Sequence, residues 1–238
     1  MDYAFVEKTI VNELADGEKF VKLPGDPVPE IREQMKRLTL KHVLAGGMTS
    51  TERHLTTGHT AEGGKSHDPS FRGDTSYPYP LYKIHKLDLL SIRNKVPPPY
   101  RMVTAMQSFP TSKVEIFLSN VLSPVAENYC GTEYLKDTYH FLRTIDQNND
   151  TLATSGVTLF SIDVHALYPS IQIPIVLDAI KDALNSCTEF TECRKLCIIE
   201  LSKFCLESSA VQFRGEWFKS LKGIITGGSA SVPFANIV

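Results

Sequence analysis

Apolar side chains recur at helical spacing in five stretches of the chain. Ile31, Met35, Leu38 and Val43 predict a helix over residues 28–45, with Pro29 suited to its first turn and Gly46-Gly47 to its end. Val114, Phe117, Leu118, Val121 and Leu122 predict a second over 112–127. Leu135, Phe141, Leu142 and Ile145 predict a third over 135–146, closed by the polar run Gln147-Asn148-Asn149-Asp150. Ile173, Val176, Leu177, Ile180 and Leu184 predict a helix over 173–184. Cys197, Leu201 and Phe204 lie inside another over 192–207.

Strand signals are fewer. Val157, Leu159, Phe160 and Ile162 form the clearest, a short apolar run ending on Asp163. Residues 81–86 and 101–105 predict short strands flanking Pro97-Pro98-Pro99, which lack ladder donors and belong to a turn or an edge. Residues 210–221 alternate around Arg214-Gly215 and predict a hairpin. Gly227-Gly228-Ser229 then opens a last helix, which reaches Val238 without a terminating signal, so a domain interrupted at its end is expected. From Gly46 to Pro80 the chain is rich in Gly, Ser, Thr, His and Asp, has no period, and predicts a long loop or insertion. Its His54, His59 and His67 match no common metal-ligand spacing and are expected in solvent.

Composition narrows the class. The 238 residues are 42% apolar and 22% charged, with 12 Phe and 9 Tyr, which excludes a wholly disordered chain and suffices for a core. No run approaches the roughly 18 apolar residues of a membrane span. The N-terminus, Met1-Asp2-Tyr3-Ala4-Phe5-Val6-Glu7, is acidic where a secretory signal is basic. The five cysteines form no CxxC pair, and Cys193, Cys197 and Cys205 sit at helical spacing, the pattern of buried thiols. These features predict an intracellular protein, nuclear or cytoplasmic and not secreted, without a membrane partner. The formal net charge of −2 argues mildly against nucleic acid as a partner. That average conceals a basic stripe, where Lys83, Lys86, Arg93, Lys95 and Arg101 face Asp88 alone between residues 81 and 101.

Three constellations carry candidate chemistry. Asp163 ends a predicted strand, where a rigid backbone near solvent suits a hard-oxygen ligand for a divalent cation, or an ordinary solvated carboxylate. The turn Gly223-Ile224-Ile225-Thr226-Gly227-Gly228-Ser229 lets backbone approach a sugar, phosphate or base closely, or simply joins a strand to a helix. It is not a phosphate-binding P-loop, since no Lys follows the glycines. The stripe of Lys83, Lys86 and Arg101 suits a triphosphate, or is a solvated basic hairpin.

In this order the segments resemble the reverse transcriptases, most closely those of Penelope-like and related non-LTR retroelements. Leu81-Tyr82-Lys83-Ile84-His85-Lys86 resembles a finger motif LPKxHK, with Tyr82 where the family usually has Pro. Pro98-Pro99-Tyr100-Arg101-Met102-Val103 resembles the next finger motif, and Ser161 to Ile171 the first palm motif. Gly223, Gly227, Ser231, Ala235 and Asn236 match the following palm motif, with Thr226 where relatives carry Gln or Met and Val232 where many carry Pro. The resemblance implies an α+β fold, right-hand polymerase fingers plus a partial palm on a small antiparallel sheet, truncated before the Asp-Asp turn. Residues 1–80 would be an N-terminal helical segment and flexible loop, and 81–238 the incomplete reverse transcriptase domain.

It further implies a nucleotidyltransferase, an RNA-directed DNA polymerase that uses Mg²⁺, with Mn²⁺ as an alternative, and takes an RNA template, a DNA primer and dNTPs. Asp163 would be the catalytic metal-binding carboxylate and the Val164 carbonyl a further metal ligand. Tyr168 would lie under the nucleotide sugar and select against a 2′-hydroxyl. Lys83, Lys86 and Arg101 would hold the triphosphate, and Gly227 would pass close to the nucleotide. No Asp-Asp pair occurs in the chain, so this polypeptide is expected not to polymerise by itself. Two other readings remain: a non-catalytic nucleic-acid-binding relic of such an element, and an unrelated α/β enzyme with a parallel sheet. The polymerase reading predicts that Val157–Asp163 pairs antiparallel with residues 210–221 or with a strand that follows them.

Overall fold

The computed structural model describes residues 3–57, 75–88, 94, 96–153, 158 and 160–238. Its helices are α1 (Tyr3–Leu14), α2 (Val28–Leu44), α3 (Ser50–Thr57), α4 (Ser112–Cys130), α5 (Thr138–Gln147), α6 (Asn149–Leu152), α7 (Leu167–Ser170), α8 (Ile173–Asn185), α9 (Glu192–Glu207) and α10 (Ser231–Ile237). Its strands are β1 (Phe20–Lys22), β2 (Tyr77–Tyr82), β3 (Tyr100–Ala105), β4 (Ala210–Phe213) and β5 (Glu216–Ser220). The fold is α+β. Every ladder among the described residues is antiparallel: β1-β5-β4 in one sheet and β2-β3 in the other. No described helix is long and apolar enough to cross a membrane.

The main core is helical. Val114, Leu118 and Leu122 of α4 meet Val176, Ile180 and Leu184 of α8, Cys197, Ile198 and Leu201 of α9, and Phe234 of α10. The i, i+4 spacing within each helix puts these side chains on one stripe, and the stripes bury one another. Thr191 caps α9 by accepting from the Arg194 N–H at 3.2 Å. A second cluster joins the start of α2 to the sheet through Ile31, Phe109 and Trp217, and a third seats Ile10 and Leu14 of α1 on Val211. Polar fasteners link the layers. Arg194 of α9 grips Glu52 of α3 through two bonds of 3.0 and 2.7 Å, with its guanidinium over the Phe117 ring. His42, buried in α2, meets Glu200 of α9 at 3.0 Å.

Several expectations are corrected. The region 46–80 is not one unbroken loop: α3 forms behind a capping box, in which Thr49 Oγ1 accepts from the Glu52 N–H at 3.1 Å and Glu52 accepts from the Thr49 N–H at 2.8 Å. His54 lies in this helix, and His59 and His67 fall outside the described residues. The strand predicted over 81–86 runs instead from Tyr77 to Tyr82, and a 3₁₀ turn, Ile84–Lys86, follows it.

Two prolines inside β2 are tolerated for a definite reason. Thr104 points its N–H away from β2 to Thr226, so its pairing with Pro78 needs no donor from the proline. The period of two gives Pro80, opposite Met102, the same standing.

Residues 160–164 form no strand, and Phe160, Ile162 and Val164 are exposed. Val157 and Leu159 fall outside the described residues. The expected pairing with 210–221 is blocked on both sides, because β1 occupies the outer edge of β5 and Ser76 bonds to β4 at Ala210 and Gln212. The third predicted helix begins at Thr138, capped by Asp137, leaving Leu135 outside it. Cys197 and Cys205 are buried as expected, whereas Cys193 is exposed. The expected division at 80/81 falls inside β2, and β1, from the N-terminal side, is hydrogen-bonded to β5.

Candidate functional site

The turn between β5 and α10 is the meeting point of the motif segments. The Ile224 N–H donates to the Tyr168 carbonyl at 2.8 Å, and the Thr226 carbonyl accepts from the Thr104 N–H at 2.7 Å. The first bond ties the turn to α7, the second to β3, the strand that carries Arg101. Two glycines permit this seating. Gly223, at φ +76°, lies so close to Pro169 that a Cβ would stand 2.6 Å from its backbone. Gly227, at φ +120°, would drive a Cβ into the Thr104 carbonyl oxygen. Gly227 was expected to approach a nucleotide; the backbone it approaches in this structure is that of β3.

The other predicted residues divide into two sets. Tyr168 is half-buried in α7, packed against the main core, after Ala166 takes a left-handed φ of +51°. Arg101 is exposed on β3 opposite Leu81, Lys83 is half-buried just past β2, and Lys86 is exposed at the end of the 3₁₀ turn. The Lys83 N–H donates to the Pro99 carbonyl at 2.8 Å, which joins the end of β2 to the segment leading into β3. Arg93 and Lys95 fall outside the described residues. Asp163 and Val164 are exposed in the irregular segment before α7.

A cleft of about 190 Å³ opens where the turn meets β3 and α7, lined by Met102, Thr104, Pro169, Ile224 and Thr226. Its remaining wall comes from the N-terminal segment, which sequence reasoning did not place here. Lys222 meets Glu18 at 3.0 Å and Lys19 meets Glu13 at 3.0 Å, and the Glu13 hydrogen bond raises the Lys19 pKa. No short motif marks residues 13–20; they reach the cleft because β1 pairs with β5.

Glu115 of α4 was also missed. It is buried, accepts from Thr111 Oγ1 at 2.8 Å and from the backbone N–H groups of Ser229 and Ala230, and lies against Gly228. Burial pushes its carboxyl up to about 7 against the lowering effect of those bonds. The sequence did hold a signal, because Glu115 falls among Val114, Leu118 and Leu122 on the stripe that predicts a buried helix face.

A two-ion centre does not fit the residues described. Asp163 and the Val164 carbonyl offer two oxygen donors, whereas Mg²⁺ prefers six ligands in an octahedron. No group of three His, Cys, Asp or Glu side chains comes together among the described residues. No step through a metal is derived from them. Comparison with protein-family models, with curated proteins and with solved structures finds no match.

Proposed function

We propose that the chain is the fingers and part of the palm of a retroelement reverse transcriptase, an RNA-directed DNA polymerase in its complete form. One observation carries the reading. Strand β3, which carries Arg101, and helix α7, which carries Tyr168, lie far apart in sequence, and each is hydrogen-bonded to the Gly223–Gly227 turn, which supports the reading. In this reading Arg101, Lys83 and Lys86 grip the incoming triphosphate, Tyr168 lies beneath its sugar, and Asp163 is the catalytic carboxylate. The complete enzyme would take RNA template, DNA primer and dNTPs, and Mg²⁺ would supply charge stabilisation there, with ligands beyond Asp163 and the Val164 carbonyl.

Primer extension on an RNA template tests this. The 238-residue chain alone is expected to be inactive, and the complete reading frame active. Asp163→Asn in the active form is expected to reduce extension about 10²- to 10³-fold, the scale on which loss of one charge-stabilising group acts. Extension that survives the substitution removes Asp163 from the assignment.

The exposure of Arg101 and Lys86, together with a single candidate carboxylate at Asp163, favours a second reading, a nucleic-acid-binding relic without catalysis. Fluorescence anisotropy with a labelled RNA–DNA hybrid addresses the binding that both readings share. Replacing Lys83, Lys86 and Arg101 together by Ala is expected to weaken binding about tenfold or more and to flatten its salt dependence. An unchanged affinity overturns both readings of the stripe.

A further inference from the structure

Helix α4 carries an acid on its apolar side, with one partner at the helix's own N-cap and two from a distant turn. Glu115 is 5% exposed and is held by Thr111 and by the backbone N–H groups of Ser229 and Ala230. Gly228 packs against its carboxyl with no room for a Cβ, and Ser231 Oγ donates to the Ile225 carbonyl at 2.6 Å to close the same turn. The surrounding wall of Met106, Leu206, Ile224 and Phe234 carries no charge. The titratable group that faces Glu115 from a neighbouring element is the Cys205 thiol of α9, kept neutral by complete burial. On α4 itself, Lys113 and Glu127 are exposed.

We propose that Glu115 is a positioning residue for the Gly227–Ser231 turn: its neutral acid holds the turn closed on α4 and β3, and its ionisation favours a turn opened to water. Two effects compete at the carboxyl. The three hydrogen bonds favour the carboxylate, while burial favours the acid, and burial is the larger influence, lifting the pKa to about 7. An opened turn hydrates the group and returns it toward its ordinary value of 4.5, so opening releases a proton. The opening constant therefore rises with pH between about 4.5 and about 7 and levels off above that range. The proposal rests on the polymerase reading only for what the turn faces, since the opening needs no nucleotide.

Amide hydrogen exchange on the 238-residue chain, corrected for the intrinsic pH dependence of exchange, reads the opening directly. Peptides spanning residues 224–231 are expected to open at least about tenfold more readily at about pH 7.5 than at about pH 5, with no such change in the β4–β5 hairpin. In Glu115→Gln the turn is expected to stay at its low-pH level throughout. A flat wild-type profile, or a pH response that persists in Glu115→Gln, overturns the proposal. Should that variant fail to fold, carbon NMR of the labelled wild-type carboxyl groups decides: a Glu resonance with a midpoint near 7 supports the proposal, and its absence overturns it. A failed primer extension leaves either result standing.

Discussion

Gly227→Ala is expected to lower stability by about 3–5 kcal/mol, combining backbone strain with a clash that cannot relax cheaply. An L side chain rarely adopts the φ of +120° found there, and the atom in the way is the Thr104 carbonyl oxygen, part of β3. Moving β3 would disturb its six-residue pairing with β2. Moving the turn would break the Thr104–Thr226 hydrogen bond. Urea unfolding followed by the fluorescence of Trp217, which is buried against Phe109, measures the loss. Gly17→Ala is the control, because nothing lies within 4 Å of a Cβ at that position. A loss below about 1 kcal/mol at Gly227 would mean that the turn is not seated on β3.

Leu118→Ala is expected to cost about 3–5 kcal/mol for a different reason, the cavity left in a close-packed interior. Leu118 is fully buried in α4, the helix packed against α3, α8, α9 and α10. The elements around it are fastened to one another, so collapse to refill the space is restricted; the Arg194–Glu52 pair alone ties α9 to α3. For a chain of this size the loss corresponds to a fall of roughly 6–20 °C in Tm, which calorimetry detects readily. A change of less than about 2 °C would show that α4 is not the centre of the core.

Where a helix presents an apolar stripe, its position is legible from sequence. The bounds of α9 at Glu192 and Glu207 and the hairpin around Arg214-Gly215 were both readable, one from the spacing of Cys197, Leu201 and Phe204 and the other from alternation on either side of the turn. Strands proved harder, because an apolar run states a preference and a ladder needs a partner. Phe160 and Ile162 have the right composition, yet both edges of the β4–β5 hairpin, their expected partner, are taken. The reverse holds for Phe20–Lys22, three residues too short to show a period, which are made a strand by β5 alone. In the candidate site the glycine spacing was readable because it reports backbone crowding. What crowded it was not, since the pressing atoms of Thr104 and Pro169 arrive from distant parts of the chain. Glu115 was overlooked because a single acid in a helix suggests solvent, and its neighbours on the stripe were the better guide.

The β1–β5 ladder sets residue 20 against residue 220. Closing so long a loop costs little more at equilibrium than closing one half its length, about 0.6 kcal/mol, but long-range closure slows the search for the native pairing. During synthesis at about 5–20 residues per second, β1 leaves the ribosome on the order of ten to forty seconds before its partner strand is made. For that interval Phe20 and the apolar side of α1, which seat on Val211, have nothing to cover them. The segment that walls the candidate cleft is thus made well before the strand that seats it, and the nascent chain is exposed to mispairing while it waits.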